Sequence, residues 1–268
     1  MAVKMSRIME AMEAVAPAHL AEEWDNVGLL LGREDREISG ALIALDVLDE
    51  IIDEALKLGA NAIITHHPAI FSPINRINDA SAAGRRLLRL IESKICVYSA
   101  HTNLDVAVGG INDVLFDTLS LVNKQHICEG KPGVFAGRAG FLQAPMTLAE
   151  FAKHTRRCLE LKTISYCGAA DAPVGKVGMV AGSSANIEFF TAAKATGCDT
   201  FVTSDIKFSM AQAAADMKLN LIDATHYASE NIFANSLKRR LEALLPGLKL
   251  YVSDVDGQVF NTVSITEG

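Results

Sequence analysis

Two adjacent histidines, His66 and His67, follow the apolar run Ala62-Ile63-Ile64-Thr65 and precede Pro68. Neighbouring side chains diverge, so one isolated metal rarely takes both. Two metals a few ångströms apart could each take one, provided carboxylates from elsewhere bridge them. Two further segments offer such groups in the pattern His-x-x-x-acid, His101 with Asp105 and His226 with Glu230, each after an apolar run. If a helix begins near His226, Glu230 lies on the same face one turn later. A plainer reading stands beside this one, because a His-His pair also ends strands through ordinary hydrogen bonds and a buried imidazole needs only a polar partner. Residue types alone leave both open.

The elements that must carry these residues can be read from the alternation of apolar runs and amphipathic stretches. Ala41–Leu45, then Asp49–Leu58 closed by Gly59, then Ala62–Thr65 make a strand–helix–strand rhythm that points to parallel α/β structure, whose strand carboxyl ends are where ligands gather. Met5, Ile8, Met9, Met12 and Val15 form one helical face stopped by Pro17, and Thr147 with Glu150 makes a capping box before Phe151. Gly40–His67 also aligns without a gap on Gly178–Asp205, and Val97–Asp105 on Ile222–Glu230, which sets His101 on His226 and Asp105 on Glu230. The expected fold class is therefore α/β, with internally duplicated repeats and mostly parallel sheets. The polar, glycine-containing stretch Asn123–Gly140 serves as the seam, giving an N-terminal lobe of residues 1–124 and a C-terminal lobe of 125–268 with the metal site between them.

Composition sets the outer limits. The 268 residues are 50% hydrophobic, 21% charged and 6% aromatic, a profile that excludes disordered, collagen-like and disulfide-dense chains. Lys and Arg number 25 against 32 Asp and Glu, and the net charge of −7 gives no general help toward nucleic acid or an anionic membrane. Arg85-Arg86 with Arg89, Arg156-Arg157 and Lys238-Arg239-Arg240 read as solvated helix faces. No apolar run approaches a membrane span, and the expectation is a soluble, cytoplasmic protein. The five cysteines lack a Cys-x-x-Cys pair and read as reduced and mostly buried. His19, His126 and His154 read as surface or capping residues, and Gly182-Ser183-Ser184-Ala185-Asn186 as a plain strand-to-helix turn, not a phosphate cradle.

Six strings carry a resemblance: Trp24-Asp25-Asn26-Val27-Gly28-Leu29, Thr65-His66-His67-Pro68, Ser99-Ala100-His101-Thr102-Asn103-Leu104-Asp105, Gly109-Gly110-Ile111-Asn112-Asp113, Ser204-Asp205-Ile206-Lys207 and Asp223-Ala224-Thr225-His226-Tyr227-Ala228-Ser229-Glu230. Together they resemble the Nif-three-like, or YbgI, family of dinuclear metal-centre proteins, often catalogued as GTP cyclohydrolase I type 2 homologues. The resemblance covers nearly the whole chain and is to the short form of the family. It implies two divalent metal ions per chain held by His66, His67, Asp105, His226 and Glu230. Glu230 bridges, His67 and Asp105 complete one metal, and His66 with His226 complete the other. His101 is then a nearby polar group available for proton transfer. The resemblance also implies two intertwined α/β repeats and a homohexameric ring. Two positions depart from the family pattern: Ser209 stands where His is common, and Thr225 where Gly is common.

Two functions follow as expectations. One is a two-metal hydrolase, acting on a small nucleotide-like, phosphoester or amide substrate through a water made acidic by the cations. The alternative is a non-enzymatic metal-binding scaffold or metal-handling protein, favoured by the missing imidazole at Ser209. Mixed imidazole and carboxylate ligands suit zinc, manganese, iron, cobalt or nickel alike.

Overall fold

The computed structural model describes residues 1–263. In chain order the elements are β1 (Val3–Lys4), α1 (Met5–Val15), a 3-10 turn (Ala18–Leu20), β2 (Gly28–Leu31), β3 (Glu37–Ile38), β4 (Gly40–Ala44), α2 (Asp49–Leu58), β5 (Ala62–Thr65), α3 (Ala82–Glu92), β6 (Cys96–Ser99) and α4 (Thr102–Val106). They continue with α5 (Ile111–Thr118), β7 (Val122–Lys131), β8 (Val134–Thr147), α6 (Leu148–Cys158), β9 (Ser165–Cys167), β10 (Pro173–Met179), α7 (Ile187–Ala195), β11 (Thr200–Thr203), α8 (Phe208–Asp216), β12 (Asn220–Asp223), α9 (His226–Asn231), α10 (Phe233–Leu244) and β13 (Lys249–Val252). Among the described residues, no helix is long and apolar enough to cross a membrane.

The chain divides into two compact units. The first holds Met1–Gly110 and Phe233–Gly257, and the second holds Ile111–Ile232 with the described residues that follow Gly257. The expected boundary at 124/125 and this division fall at different places, because α10 and β13 return to the first unit. Asn123–Gly140, read as a seam, builds most of β7 and the start of β8, which pair antiparallel around Gly133 at φ 77°. Its polarity reflects the solvent-facing length of β7.

In the first unit a five-stranded sheet runs β13-β4-β5-β6-β2, parallel except for β2. Strands β4, β5 and β6 are buried along their whole length, as a sheet covered on both faces requires. Leu42, Ile52, Ile63 and Val97 are wholly buried in one cluster, and each contributes about 1.5–3 kcal/mol over an exposed side chain. Helix α2 sets the spacing before β5: Asp49 and Glu50 occupy its positive end, and Gly59 at φ 66° lets the chain reverse so that Ala60 N donates back to Ala55 O.

In the second unit the six-stranded sheet runs β7-β8-β10-β11-β12-β9. Strands β10, β11 and β12 are parallel and the others antiparallel, so this sheet is mixed. Phe190, Phe201 and Leu221 are wholly buried in its core, with Phe190 and Phe201 edge to face at 5.7 Å. The capping box of Thr147 and Glu150 opens α6 as expected.

Both units contain the expected strand–helix–strand order, continued by a further helix and strand as β4-α2-β5-α3-β6 and β10-α7-β11-α8-β12, but their registers differ from the ungapped alignment in two places. Asn61 N donates to Gly40 O, whereas Asp199 N donates to Lys176 O and not to Gly178 O. The second unit thus spends extra residues between β10 and α7, in the loop that contains Gly182. Ala100 N donates to Thr65 O and Ala224 N to Thr203 O, which places His101 opposite Thr225 and leaves His226 one position later.

Thr225 is strained. It has φ 58° and ψ 145°, a region that suits glycine, and its Oγ1 is buried without a hydrogen-bond partner among the described residues. Asp223 Oδ1 accepts from Thr225 N at 3.0 Å and holds the turn that starts α9. Replacing Thr225 with Gly should raise stability by about 1–2 kcal/mol, the relieved strain exceeding glycine's extra unfolded-state entropy. Chemical denaturation of the two proteins checks this, and a destabilised Thr225→Gly would contradict it.

Candidate metal centre

In the first unit the two central strand ends deliver three imidazoles to one place. Thr65, at the end of β5, is locked by hydrogen bonds of 2.8 Å between its Oγ1 and both His67 O and Ser99 Oγ. His67 N donates to Leu45 O, so the turn after β5 is pinned to the neighbouring strand end. His101 follows β6 as the residue before α4. Ring centroids of His66 lie 5.1 Å from His67 and 5.0 Å from His101, and one ring nitrogen of each histidine lies within 4.8 Å of the others. Asp105, on α4, brings Oδ1 to 3.7 Å from His66 Nε2.

Each ring is held by its Nδ1. His66, wholly buried, directs Nδ1 to Ala100 O at 3.0 Å, which as a carbonyl accepts only and so fixes the Nδ1–H tautomer. His67 Nδ1 meets Asp46 Oδ1 at 2.7 Å, and His101 Nδ1 meets Asp25 Oδ1 at 2.9 Å. Burial pushes the Asp25 carboxyl up, but hydrogen bonds from His101 and from the Thr102 side chain and backbone outweigh it and bring the pKa down to about 2. An imidazole whose Nδ1–H donates to a carboxylate or carbonyl presents Nε2 as its basic atom, the arrangement found around metal-ligating histidines.

The second unit repeats the device. His226, the first residue of α9, sets Nδ1 against Asp205 Oδ2 at 2.7 Å and Nε2 against Glu230 Oε2 at 3.0 Å. The one-turn spacing read from the sequence is thus realised on a helix. Hydrogen bonding to Glu230 exceeds the opposing effect of burial and, with Asp205, raises the His226 pKa to about 9. Glu230 is almost fully buried against Gly182, where any Cβ would overlap its Oε1. Gly182 itself sits at φ 66°, so the loop between β10 and α7 supplies both the turn and the space for this carboxylate.

All six expected residues fall into these two groups: His66, His67, His101 and Asp105 in the first unit, His226 and Glu230 in the second. His101 stands as close to His66 as His67 does, so geometry does not separate it from the expected ligands. Asp25, Asp46 and Asp205 hold these rings but are not among the residues expected from the sequence to form the site. Their signal was a carboxylate at a strand end or loop near no histidine in sequence. Ser209 is exposed at the start of α8, and Asn186 caps α7 by accepting from Phe189 N at 2.9 Å, which makes its loop the expected turn. The donor atoms are all imidazole nitrogens and carboxylate oxygens and fit divalent transition metals.

A family model described as Duf34/NIF3 (NGG1p interacting factor 3) matches residues 3–258. The chain belongs to the NIF3 family. A protein of Clostridium perfringens named GTP cyclohydrolase 1 type 2 homolog is 36% identical over 233 residues, covering 85% of this chain and 87% of that protein. One of the same name from Clostridium acetobutylicum is 32% identical over 250 residues, covering 91% and 92%. Among solved structures, the Bacillus cereus protein related to NIF3 superposes with a TM-score of 0.90 at 25% identity, covering 98% of this chain and 99% of that one. The α/β architecture is therefore that of NIF3 proteins, and its histidine and glutamate clusters are of a kind that can hold metal.

The raised His226 pKa fixes the sign of a pH effect. A group whose pKa moves from 6.5 unfolded to about 9 folded contributes stability that is complete below pH 6.5 and is lost as the pH rises through 9. Metal-free protein should therefore melt lower as the pH rises across that window, and Glu230→Gln should flatten the decline. A metal ion must displace this proton, so affinity at His226 should increase with pH up to about 9. Gly182→Ala should push Glu230 aside and lower the His226 pKa toward 6.5, read by NMR titration of the metal-free protein.

Proposed function

We propose that this NIF3 protein is a metal-dependent hydrolase that holds two divalent ions per chain, through His66, His67, Asp105, His226 and Glu230. The observation that carries the reading is the uniform anchoring of four histidines by Nδ1, which costs side-chain freedom and orders four Nε2 atoms. Bound there, the ions would supply Lewis acidity and lower the pKa of water. His101, oriented by a carboxylate held near pKa 2, is the group assigned to proton transfer, since it can keep Nδ1–H in place while Nε2 gains or loses a proton. The name of the clostridial relatives supports a nucleotide-like substrate. A non-enzymatic metal-handling role is favoured by one feature, the exposed Ser209 at a position where His is common in the family pattern.

Elemental analysis after reconstitution and desalting should return two ions per chain, and a value of one or fewer contradicts the dinuclear reading. Asp46→Ala should weaken metal binding about 10–100-fold while leaving the fold intact, because it removes the acceptor that holds the His67 ring. Turnover of a nucleotide and phosphoester panel by loaded protein, abolished in Glu230→Gln, separates the hydrolase from the metal-handling role.

A further inference from the structure

Beside the histidine cluster of the first unit lie two large aromatic side chains turned to solvent. Trp24 is 61% exposed and Phe71 53% exposed. Their ring centroids are 6.0 Å apart and tilted at 54°, and each stands edge to face with His101, at 6.2 Å and 6.1 Å. Leaving two such rings in water forgoes burial, and a paired, exposed aromatic patch marks a binding surface.

The loops that carry them are held firmly at the neighbouring residues. Asp25 is buried against His101 and Thr102, and Asn26 Nδ2 donates to Ile70 O at 2.6 Å, tying the Trp24 loop to the Phe71 loop. The same carboxylate that orients His101 thus positions Trp24. Both rings meet His101 close to perpendicular and remain more than half exposed.

We propose that Trp24 and Phe71 form a stacking platform for a planar heteroaromatic ring of the substrate, held next to His101. The proposal rests on the reading of the histidine cluster as the reaction centre and specifies what that centre acts on. Two π faces set as an open wedge favour a flat ring, which can lie on one face and present its edge to the other. A nucleobase or a related fused heterocycle has that shape, and stacking does not depend on which base it is. The adjoining imidazole then faces the ring's edge.

Trp24 is the chain's single tryptophan, so its emission reports this surface alone. With excitation at 295 nm, where tyrosine is silent, the full-length protein is titrated with guanosine, adenosine and, as a ring-free control, ribose 5-phosphate. Both nucleosides should quench Trp24 saturably and ribose 5-phosphate should not. Phe71→Ala should weaken nucleoside affinity about tenfold, the lower range for losing one stacking partner, and Phe71→Tyr should restore it. Equal quenching by ribose 5-phosphate, no quenching by either nucleoside, or unchanged affinity in Phe71→Ala overturns the platform. So does a change of oligomeric state in Trp24→Ala by light scattering, which would make the patch an interface between copies. The titration is run in chelator and with metal, alongside elemental analysis. Nucleoside quenching that persists in protein unable to retain metal leaves the platform standing and removes the metal reading, while metal retention without quenching does the reverse.

Discussion

The chemistry of this protein depends on hydrogen bonds made on the far side of its histidine rings. An imidazole left to itself rotates about two bonds and exchanges tautomers, and either nitrogen can bind a cation. Here Ala100 O, Asp46, Asp25 and Asp205 take Nδ1 of His66, His67, His101 and His226 in turn. That removes both freedoms before any ion arrives. In His226 the ring also donates from Nε2 to Glu230, so in the metal-free protein a proton occupies the place a cation would take.

Holding four such rings requires strand ends fixed to within fractions of an ångström, and both units achieve it with short, fully buried parallel strands. The costs are local. Asp205 and Thr225 adopt positive φ, and Gly182 gives up a side chain so that Glu230 can fit. These departures cluster around His226, whereas His66 and His67, in the turn after β5, keep negative φ.

Much of this was legible in the residues. The alternation of apolar runs with amphipathic stretches located the parallel strands, and His-x-x-x-acid located Glu230 one turn after His226. What was not legible depends on register and on distance along the chain. An ungapped match hid the longer loop at Gly182 and the one-position difference between His101 and His226, because glycine and alanine recur often enough to align by identity alone. Asp46 and Asp205 lie a strand away from the rings they hold, and no local spacing marks such a pair. The β7–β8 hairpin was read as a seam because a strand that faces solvent over most of its length has the composition of a loop.

The central claim is that cations bind at Nε2 of rings whose Nδ1 is already committed. Anomalous diffraction from crystals grown with cobalt or zinc, recorded on either side of the metal's absorption edge, tests it directly. The account predicts anomalous peaks on the Nε2 side of His66, His67 and His226, with the Nδ1 contacts to Ala100, Asp46 and Asp205 unchanged. Peaks confined to surface carboxylates or to cysteines, or rings turned so that Nδ1 meets the metal, would contradict it.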